Sequence, residues 1–519
     1  LSYFCKENSK NIILTLINPL LYEFFTILNK PITMNKKSVL LLGLCVGLHW
    51  ACKSTLVTDE KSSISPESTR VVIIPSSIQG VNWADSRDNF VDDKLLLSGT
   101  APNDSYTTIQ TKGTPIVDAF LKIGVNTIRI PLNPPTVLDP WWNSYTGAID
   151  LAISKGMKVI LCPWEGNSSK DGKVDNLTLF WNMWQTVINK YGTNEQVLFE
   201  VFNEPHGYTA TELKQLYASF LTQYSTIPKD RILLGGRGYC EFVTEIASDN
   251  QFAGCLFSFH DYSWFGSNVA TTANREQHIQ NRVGSYASRT VVTEFGTSLT
   301  NGKNYLASPN GDVEIAYLQG ITNKIQANQM GGVYWPGLRN GDSYSLYNYN
   351  GSTMNINNVT ALAKIQFAWN SIAIANNATY KITSANSNKV LDINGGVSAT
   401  NNGVKLQQWT WSNTDNQKWL LQSVEAGIYR ITPVHSGKAL DVNGGETATQ
   451  NGPYLNQWDY YGGANQKFAF AHLGNGNFAI IAKHSGKVLD VSGASTANGA
   501  DIIQWQYSGE SNQLWKVTQ

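Results

Sequence analysis

Residues 198–205 read Leu198-Phe199-Glu200-Val201-Phe202-Asn203-Glu204-Pro205. The first six form a mostly apolar run of strand length, and the Glu-Pro after it ends the run, because proline cannot donate to a ladder. Outward from this stretch, similar runs fall at residues 81–84, 127–132, 158–163, 231–235, 256–262, 290–295 and 332–335. Between them the apolar spacing changes to that of helices, over residues 115–123, 147–155, 180–190, 212–224, 277–286, 313–326 and 359–372. Strands alternating with helices pair in parallel through right-handed crossovers. Eight such units in about 300 residues predict a closed (β/α)8 barrel over residues 71–377. An open doubly wound sheet is the other arrangement, but no glycine-rich phosphate fingerprint opens a helix.

From residue 378 to 519 the pattern changes to short strands, turns and a repeat. Lys389-Val-Leu-Asp392, Lys438-Ala-Leu-Asp441 and Lys487-Val-Leu-Asp490 align, with their aspartates 49 residues apart. Each copy continues to a Gln-Trp (Trp409, Trp458, Trp505) and then to an Asn-Gln-x-aromatic (from Asn416, Asn465 and Asn512). A period near 50 also occurs in propeller blades, but three repeats are too few for a propeller. A three-fold, all-β trefoil is the expectation.

Lys+Arg and Asp+Glu stand equal at 39 each, which argues against a nucleic-acid or anionic-membrane partner. Charged residues make up only 15% of the 519, while aromatics reach 11%. Such a composition suits an extracellular protein that handles carbohydrate. Aromatic faces stack on sugar rings, and amides bond hydroxyls without the desolvation cost of a charge.

The chain opens on Leu1, and its first methionine is Met34. Lys36-Lys37, an apolar run over residues 39–48 and the small residue before Cys52 read as an export signal over 34–52, with 1–33 as upstream translation. A membrane helix over residues 12–28 is the alternative, weakened by Asn18, Pro19 and Glu23. Ala51-Cys52 resembles a bacterial lipoprotein cleavage site, although His49 departs from it. Cys52 is therefore the candidate point of a lipid anchor, against free secretion. Residues 53–70 are polar and aperiodic, as a linker is. Of the remaining cysteines, Cys240 and Cys255 are the pair considered for a disulfide, and no spacing suggests a metal site.

Two carboxylates end predicted barrel strands: Glu204, and Glu294 in Val291-Val292-Thr293-Glu294-Phe295-Gly296. Barrel active sites lie at the C-terminal ends of the strands, so both side chains are expected to converge there. Glycosidic cleavage needs such a pair, one carboxyl to protonate the leaving oxygen and one carboxylate to attack the anomeric carbon. A separation of about 5–5.5 Å goes with retention and a wider one with inversion.

These residues bring a resemblance into view. The barrel is similar to glycoside hydrolase family 5, the cellulase-type retaining glycosidases. The resemblance implies Glu204 as acid/base, Glu294 as nucleophile, Arg129 beside the nucleophile and Asn203 on the sugar 2-hydroxyl. It also implies the strand-six pair His260 and Tyr262, and Trp335 beneath the reacting sugar. Members usually carry histidine at the end of the third strand; here Trp164 stands near that place and is taken as substrate-binding. Glu165 beside it reads either as a hydroxyl-binding residue or as a solvated loop residue.

The C-terminal repeat resembles the ricin B-type lectin trefoil, also classed as a family 13 carbohydrate-binding module. That implies three sugar sites: Asp392, Trp409 and Asn416; Asp441, Trp458 and Asn465; Asp490, Trp505 and Asn512. Gln417, Gln466 and Gln513 are implied to hold the core turn. Together the resemblances imply an exported bacterial endo-β-glycanase, without metal or cofactor, acting as a monomer on a polysaccharide that its lectin module tethers. A lectin-linked subgroup similar in residues 80–90 and 334–342 implies exo-acting furanosidase activity on arabinofuranosyl or galactofuranosyl ends as the enzyme alternative. A barrel that has lost catalysis, leaving a carbohydrate-binding protein, is the rival of another class.

Overall fold

In the computed structural model, residues 72–266 and 269–519 are described, and the proposed leader, export signal and Cys52 lie outside them. Strands β1 (Gln79–Trp83), β2 (Thr127–Leu132), β3 (Lys158–Pro163), β4 (Val197–Glu200), β5 (Ile232–Gly235), β6 (Leu256–Tyr262), β7 (Thr290–Gly296) and β8 (Gly331–Leu338) form a closed barrel in chain order. All pairings are parallel, and β8 returns to β1. The principal helices follow the strands: α1 (Tyr106–Lys122), α2 (Trp142–Ser154), α3 (Leu177–Tyr191), α4 (Ala210–Gln223), α5 (Val243–Ala247), α6 (Thr272–Val283), α7 (Val313–Ala327) and α8 (Val359–Ala368). Ile160, Leu198, Leu233, Leu256, Val291 and Val333 pack together near the N-terminal ends of β3 to β8 and plug that end of the barrel. The other strand face meets the helices, as Ile128, Val159 and Phe257 do.

The strand ends differ from expectation where the site begins. Pairing of β4 stops at Glu200 instead of running to Asn203. The chain beyond is still held, by Val201 N–H to Leu233 O at 3.1 Å and Asn203 N–H to Pro163 O at 3.0 Å, before it turns at Glu204. Strand β8 runs on to Leu338, because a bulge lets Trp83 of β1 pair there. Helix α1 starts earlier than residue 115: Ser105 caps Thr108 N–H at 3.1 Å, and Pro115 lies inside the helix. Neither α5 nor the hairpin β9 (Tyr347–Tyr349) with β10 (Met354–Ile356) was anticipated.

The remaining strands are β11 (Ala378–Ser384), β12 (Val390–Ile393), β13 (Leu406–Trp409), β14 (Trp419–Glu425), β15 (Ile428–Pro433), β16 (Ala439–Val442), β17 (Leu455–Trp458), β18 (Phe468–His472), β19 (Asn477–Ala482), β20 (Val488–Val491), β21 (Ile502–Trp505) and β22 (Trp515–Thr518). Six of them close a ring, β11–β14–β15–β18–β19–β22 and back to β11. Hairpins β12–β13, β16–β17 and β20–β21 add one pair per repeat. This is the expected β-trefoil. Its core repeats with the sequence: Trp419, Phe468 and Trp515 pack with Leu391, Leu440 and Leu489, all fully buried.

The two domains share packing. Ile428, Ala469, Ala471, Leu473, Ala479 and Ile481 of the trefoil join the apolar core of the barrel side. Gln366 of α8 donates to Ile123 O at 2.9 Å and to His472 O at 2.8 Å, and accepts from His472 N–H at 2.8 Å. The connecting segment is fastened at both ends, Trp369 Nε1 donating to Gly332 O and Ala375 N–H to the Tyr380 hydroxyl. The trefoil is therefore docked on the barrel, not hung from it.

Cys162, Cys240 and Cys255 are all free and buried, which corrects the considered Cys240–Cys255 disulfide. Cys240 follows the C-terminal end of β5, whereas Cys255 precedes the N-terminal end of β6. In a parallel barrel those are opposite ends. Among the described residues no helix is long and apolar enough to cross a membrane.

Candidate active site

The site gathers where the strands end. Arg129, on β2 and almost wholly buried, is its hub. Its Nη1 donates to Glu294 Oε1 at 2.5 Å and to Asn82 Oδ1 at 3.0 Å, and its Nη2 donates to Asn203 Oδ1 at 2.8 Å. Glu200 takes the other edge of the guanidinium, at 2.6 and 3.1 Å, and Cys162 Sγ accepts at 3.0 Å. A planar fork held at this many points is immobile, so the nucleophile candidate is oriented by its partner before substrate arrives.

Tyr262 at the end of β6 donates to Glu294 Oε2 at 2.8 Å. His260, two residues earlier and on the same face, has Nδ1 3.0 Å from Glu204 Oε1 and Nε2 3.1 Å from Thr293 Oγ1. Burial lowers the His260 pKa, which suits a neutral ring that donates through Nδ1 to Glu204. One oxygen of Glu204, one of Glu294 and a His260 nitrogen all lie within 4.8 Å of one another. A second trio, Glu200, Cys240 and His260, is equally close. Each trio contains a carboxylate already paired with Arg129.

The two glutamates sit in unlike fields. Burial pushes the Glu204 carboxyl up to about 7, against the pull of Arg129 and His206. Burial raises Glu294 too, but Arg129 and the Tyr262 hydroxyl work to keep it ionised. The expected support from Arg129 and Tyr262 is present, and it acts against burial.

Aromatic rings line both sides. Trp335, partly exposed on β8, stacks on Trp164 with centroids 5.7 Å apart, and Phe90 meets Trp164 edge-on at 4.6 Å. Trp164 also covers Arg129, whose guanidinium carbon is 5.8 Å from the ring centroid. Trp264, 59% exposed, stacks on Tyr262 at 4.6 Å and offers its other face to solvent. Sequence reasoning missed Trp264, although an aromatic just past a strand-end His-Asp-Tyr was there to be read. Glu165 is not the solvated loop residue that was one of its two readings. It is 3% exposed and accepts Gly172 N–H at 2.9 Å, pinning the loop before α3 and bordering a recess of about 590 Å³ beside Trp164. Asn82, Glu200 and Thr293 were also missed. Inside a strand, a buried polar residue shows its purpose only once its neighbours are known.

The trefoil brings each implied sugar set together. Asn416 Nδ2 and Gln417 Nε2 both donate to Asp392 Oδ2 at 2.8 Å, so the glutamine holds the site aspartate as well as the turn. Trp409, Trp458 and Trp505 are 41%, 41% and 42% exposed, open enough to serve as platforms.

Residues 99–340 match the family described as Cellulase (glycosyl hydrolase family 5). Residues 366–458 and 464–519 match the Ricin-type beta-trefoil lectin domain-like family. Endoglucanase Z of Dickeya dadantii (strain 3937) is 23% identical over 202 residues, which are 37% of this chain and 45% of that protein. The chain thus spans less than half the length of that curated relative. Among solved structures, the designed three-fold symmetric protein ThreeFoil is 40% identical, covering 27% of this chain and 98% of its own, with a TM-score of 0.26. The catalytic domain of the major endoglucanase from Xanthomonas campestris pv. campestris is 14% identical, covering 57% of this chain and 95% of its own, with a TM-score of 0.44. The chain joins a barrel that belongs to glycosyl hydrolase family 5 to a C-terminal domain that belongs to the ricin-type β-trefoil lectins.

Proposed function

We propose that this protein is a retaining endo-β-glycanase that cleaves O-glycosidic bonds of a polysaccharide by double displacement and carries its own sugar-binding domain. The observation that carries the reading is the approach of Glu204 and Glu294, an oxygen of each within 4.8 Å. At that spacing both carboxyls reach one glycosidic bond, with no room for a water between sugar and nucleophile.

Glu294, aimed by Arg129 and Tyr262, attacks the anomeric carbon while Glu204 gives its proton to the departing oxygen. The bond to the leaving sugar breaks as the bond to Glu294 forms. With the negative charge of Glu294 consumed, Glu204 takes a proton from water, whose oxygen then displaces Glu294. Asn203 Nδ2 is buried and without a protein partner, which suits it to donate to a sugar hydroxyl. Trp335 supplies a ring face for the sugar. The likeness to Endoglucanase Z supports endo action on a glucan. Export, with or without an anchor at Cys52, rests on the leader pattern of residues 34–52.

The test is product release from β-glucan, mannan, xylan, arabinan and galactofuranan, with the anomer followed by NMR and Glu294→Ala alongside. Oligosaccharides from one polymer, formed with retention and abolished in the variant, are expected. Monosaccharides alone would transfer the reading to an exo-acting furanosidase or another exo-enzyme. Sugar binding without turnover on any polymer would make it a binding protein.

A further inference from the structure

The three sugar sets of the trefoil share one plan but are not finished alike. In each repeat an asparagine amide donates to the site aspartate: Asn416 to Asp392 at 2.8 Å, Asn465 to Asp441 at 2.9 Å and Asn512 to Asp490 at 2.9 Å. The amide oxygen of that asparagine is left to find a donor. In the first repeat Asn416 Oδ1 is buried, has no partner in the protein, and borders an open recess of about 540 Å³ together with Asp392, Gln407 and Trp409. A buried acceptor left unpaired is costly, and a sugar hydroxyl is a donor that would satisfy it. In the second repeat the same atom, Asn465 Oδ1, already accepts from the Tyr461 hydroxyl at 2.9 Å. The first and third repeats carry Ser412 and Ser508 at the place of Tyr461.

A second residue shows that the tyrosine is fitted to this position. A Cβ on Gly463 would lie 2.5 Å from Tyr461 Cε2 and 2.6 Å from Asn465 Oδ1. The ring can fold onto the asparagine only because residue 463 has no side chain. The other repeats have Thr414 and Glu510 there. Tyrosine and glycine thus occur together in the one repeat where the acceptor is capped. Beneath them burial holds the Asp441 carboxyl up to about 6, with the Tyr461 phenol among its hydrogen-bond partners.

We propose that Tyr461 closes the second-repeat site against sugar, its hydroxyl standing where a sugar hydroxyl would bond Asn465, while the first-repeat site around Trp409 is open. The inference rests on the trefoil being a sugar-binding domain.

The experiment titrates the full chain, in a Glu294→Ala background, with lactose, cellobiose and xylobiose, and reads sugars bound per chain by calorimetry. Trp409→Ala is expected to remove one bound sugar and Trp458→Ala none. Tyr461→Ser is expected to add one, which Trp458→Ala then removes. Gly463→Thr should add the same site by displacing the ring while keeping the hydroxyl. If Trp458→Ala removes a sugar from the parent chain, or if Tyr461→Ser and Gly463→Thr add none while Trp409→Ala removes one, the closure is overturned and the lectin reading stands. If the trefoil tryptophan variants leave binding unchanged, or no probe binds, the lectin reading falls and the closure with it.

Discussion

Glu204 concentrates the costs of the site in one residue. Its φ of 46° is left-handed for a residue with a side chain, a conformation that costs on the order of 1–3 kcal/mol, and the turn is drawn tight by His206 N–H to Glu204 O at 2.6 Å. Its carboxyl is also held at about 7, above its ordinary value of 4.5. A raised carboxyl pKa means that the folded state binds the proton more tightly than the unfolded one. The associated stability is therefore present below about pH 4.5 and lost as pH rises through 7, by about 3 kcal/mol. Glu204→Gln should remove that dependence: thermal denaturation should show the variant gaining on the parent between pH 5 and pH 8, while its turnover is lost. A constant difference in Tm across that range would mean that the carboxyl is not so perturbed. In the proposed mechanism the same proton is the one delivered to the leaving oxygen, so the parent's kcat/KM should fall above about pH 7.

At the scale of elements, the site depends on how closely β7 and β8 approach at their C-terminal ends. A Cβ on Gly296 would lie 2.1 Å from the Trp335 carbonyl oxygen, a backbone atom that cannot step aside alone. Gly296→Ala should therefore push apart the strand ends that carry Glu294 and Trp335. A displacement near 1 Å corresponds to about a hundredfold loss of kcat/KM, with a smaller loss of stability. Activity within threefold of the parent would show that the strand ends can yield. The strand ends also explain what the sequence shows and what it hides. Glu204 and Glu294 are legible because each follows an apolar run at the point where a barrel strand must stop, and Arg129 because it interrupts such a run. The (β/α)8 order and the three-fold repeat are legible because their periods persist over many residues. Glu200, Asn82 and Thr293 are hidden, since each acts on a residue from a distant strand that only barrel closure brings near. The burial of Glu165 is hidden too, because its partner, Gly172, belongs to a loop with no period of its own. Helix α1 was cut short because Pro115 reads as a first-turn residue, while the Ser105 cap lies ten residues before it.

The molecule as a whole is held together by a contact in which Gln366 satisfies Ile123 O and both backbone groups of His472. Gln366→Ala strips three hydrogen bonds at once, one of them fully buried, at about 1 kcal/mol each and more where a group stays unpaired. Calorimetry should show one transition for the parent chain and two for the variant, the trefoil and the barrel melting apart. An unchanged single transition would assign the coupling to the remaining contacts, the apolar packing of Ala469, Ala471 and Leu473 and the bonds of Asn304 to Lys483 O and Lys364 to Ala426 O. Domain docking was not legible in the sequence, where residues 369–377 look like any short connection. It has a consequence for how the protein reads a polymer. A module on a loose leash samples many distances, whereas one seated on the barrel fixes, on the proposed reading, a single interval between a sugar at Trp409 and a bond placed between Glu204 and Glu294. The protein is in that sense a ruler. Polymers whose grippable units recur at that interval from a scissile bond engage both domains together, and polymers with another spacing make the two domains compete for the same chain.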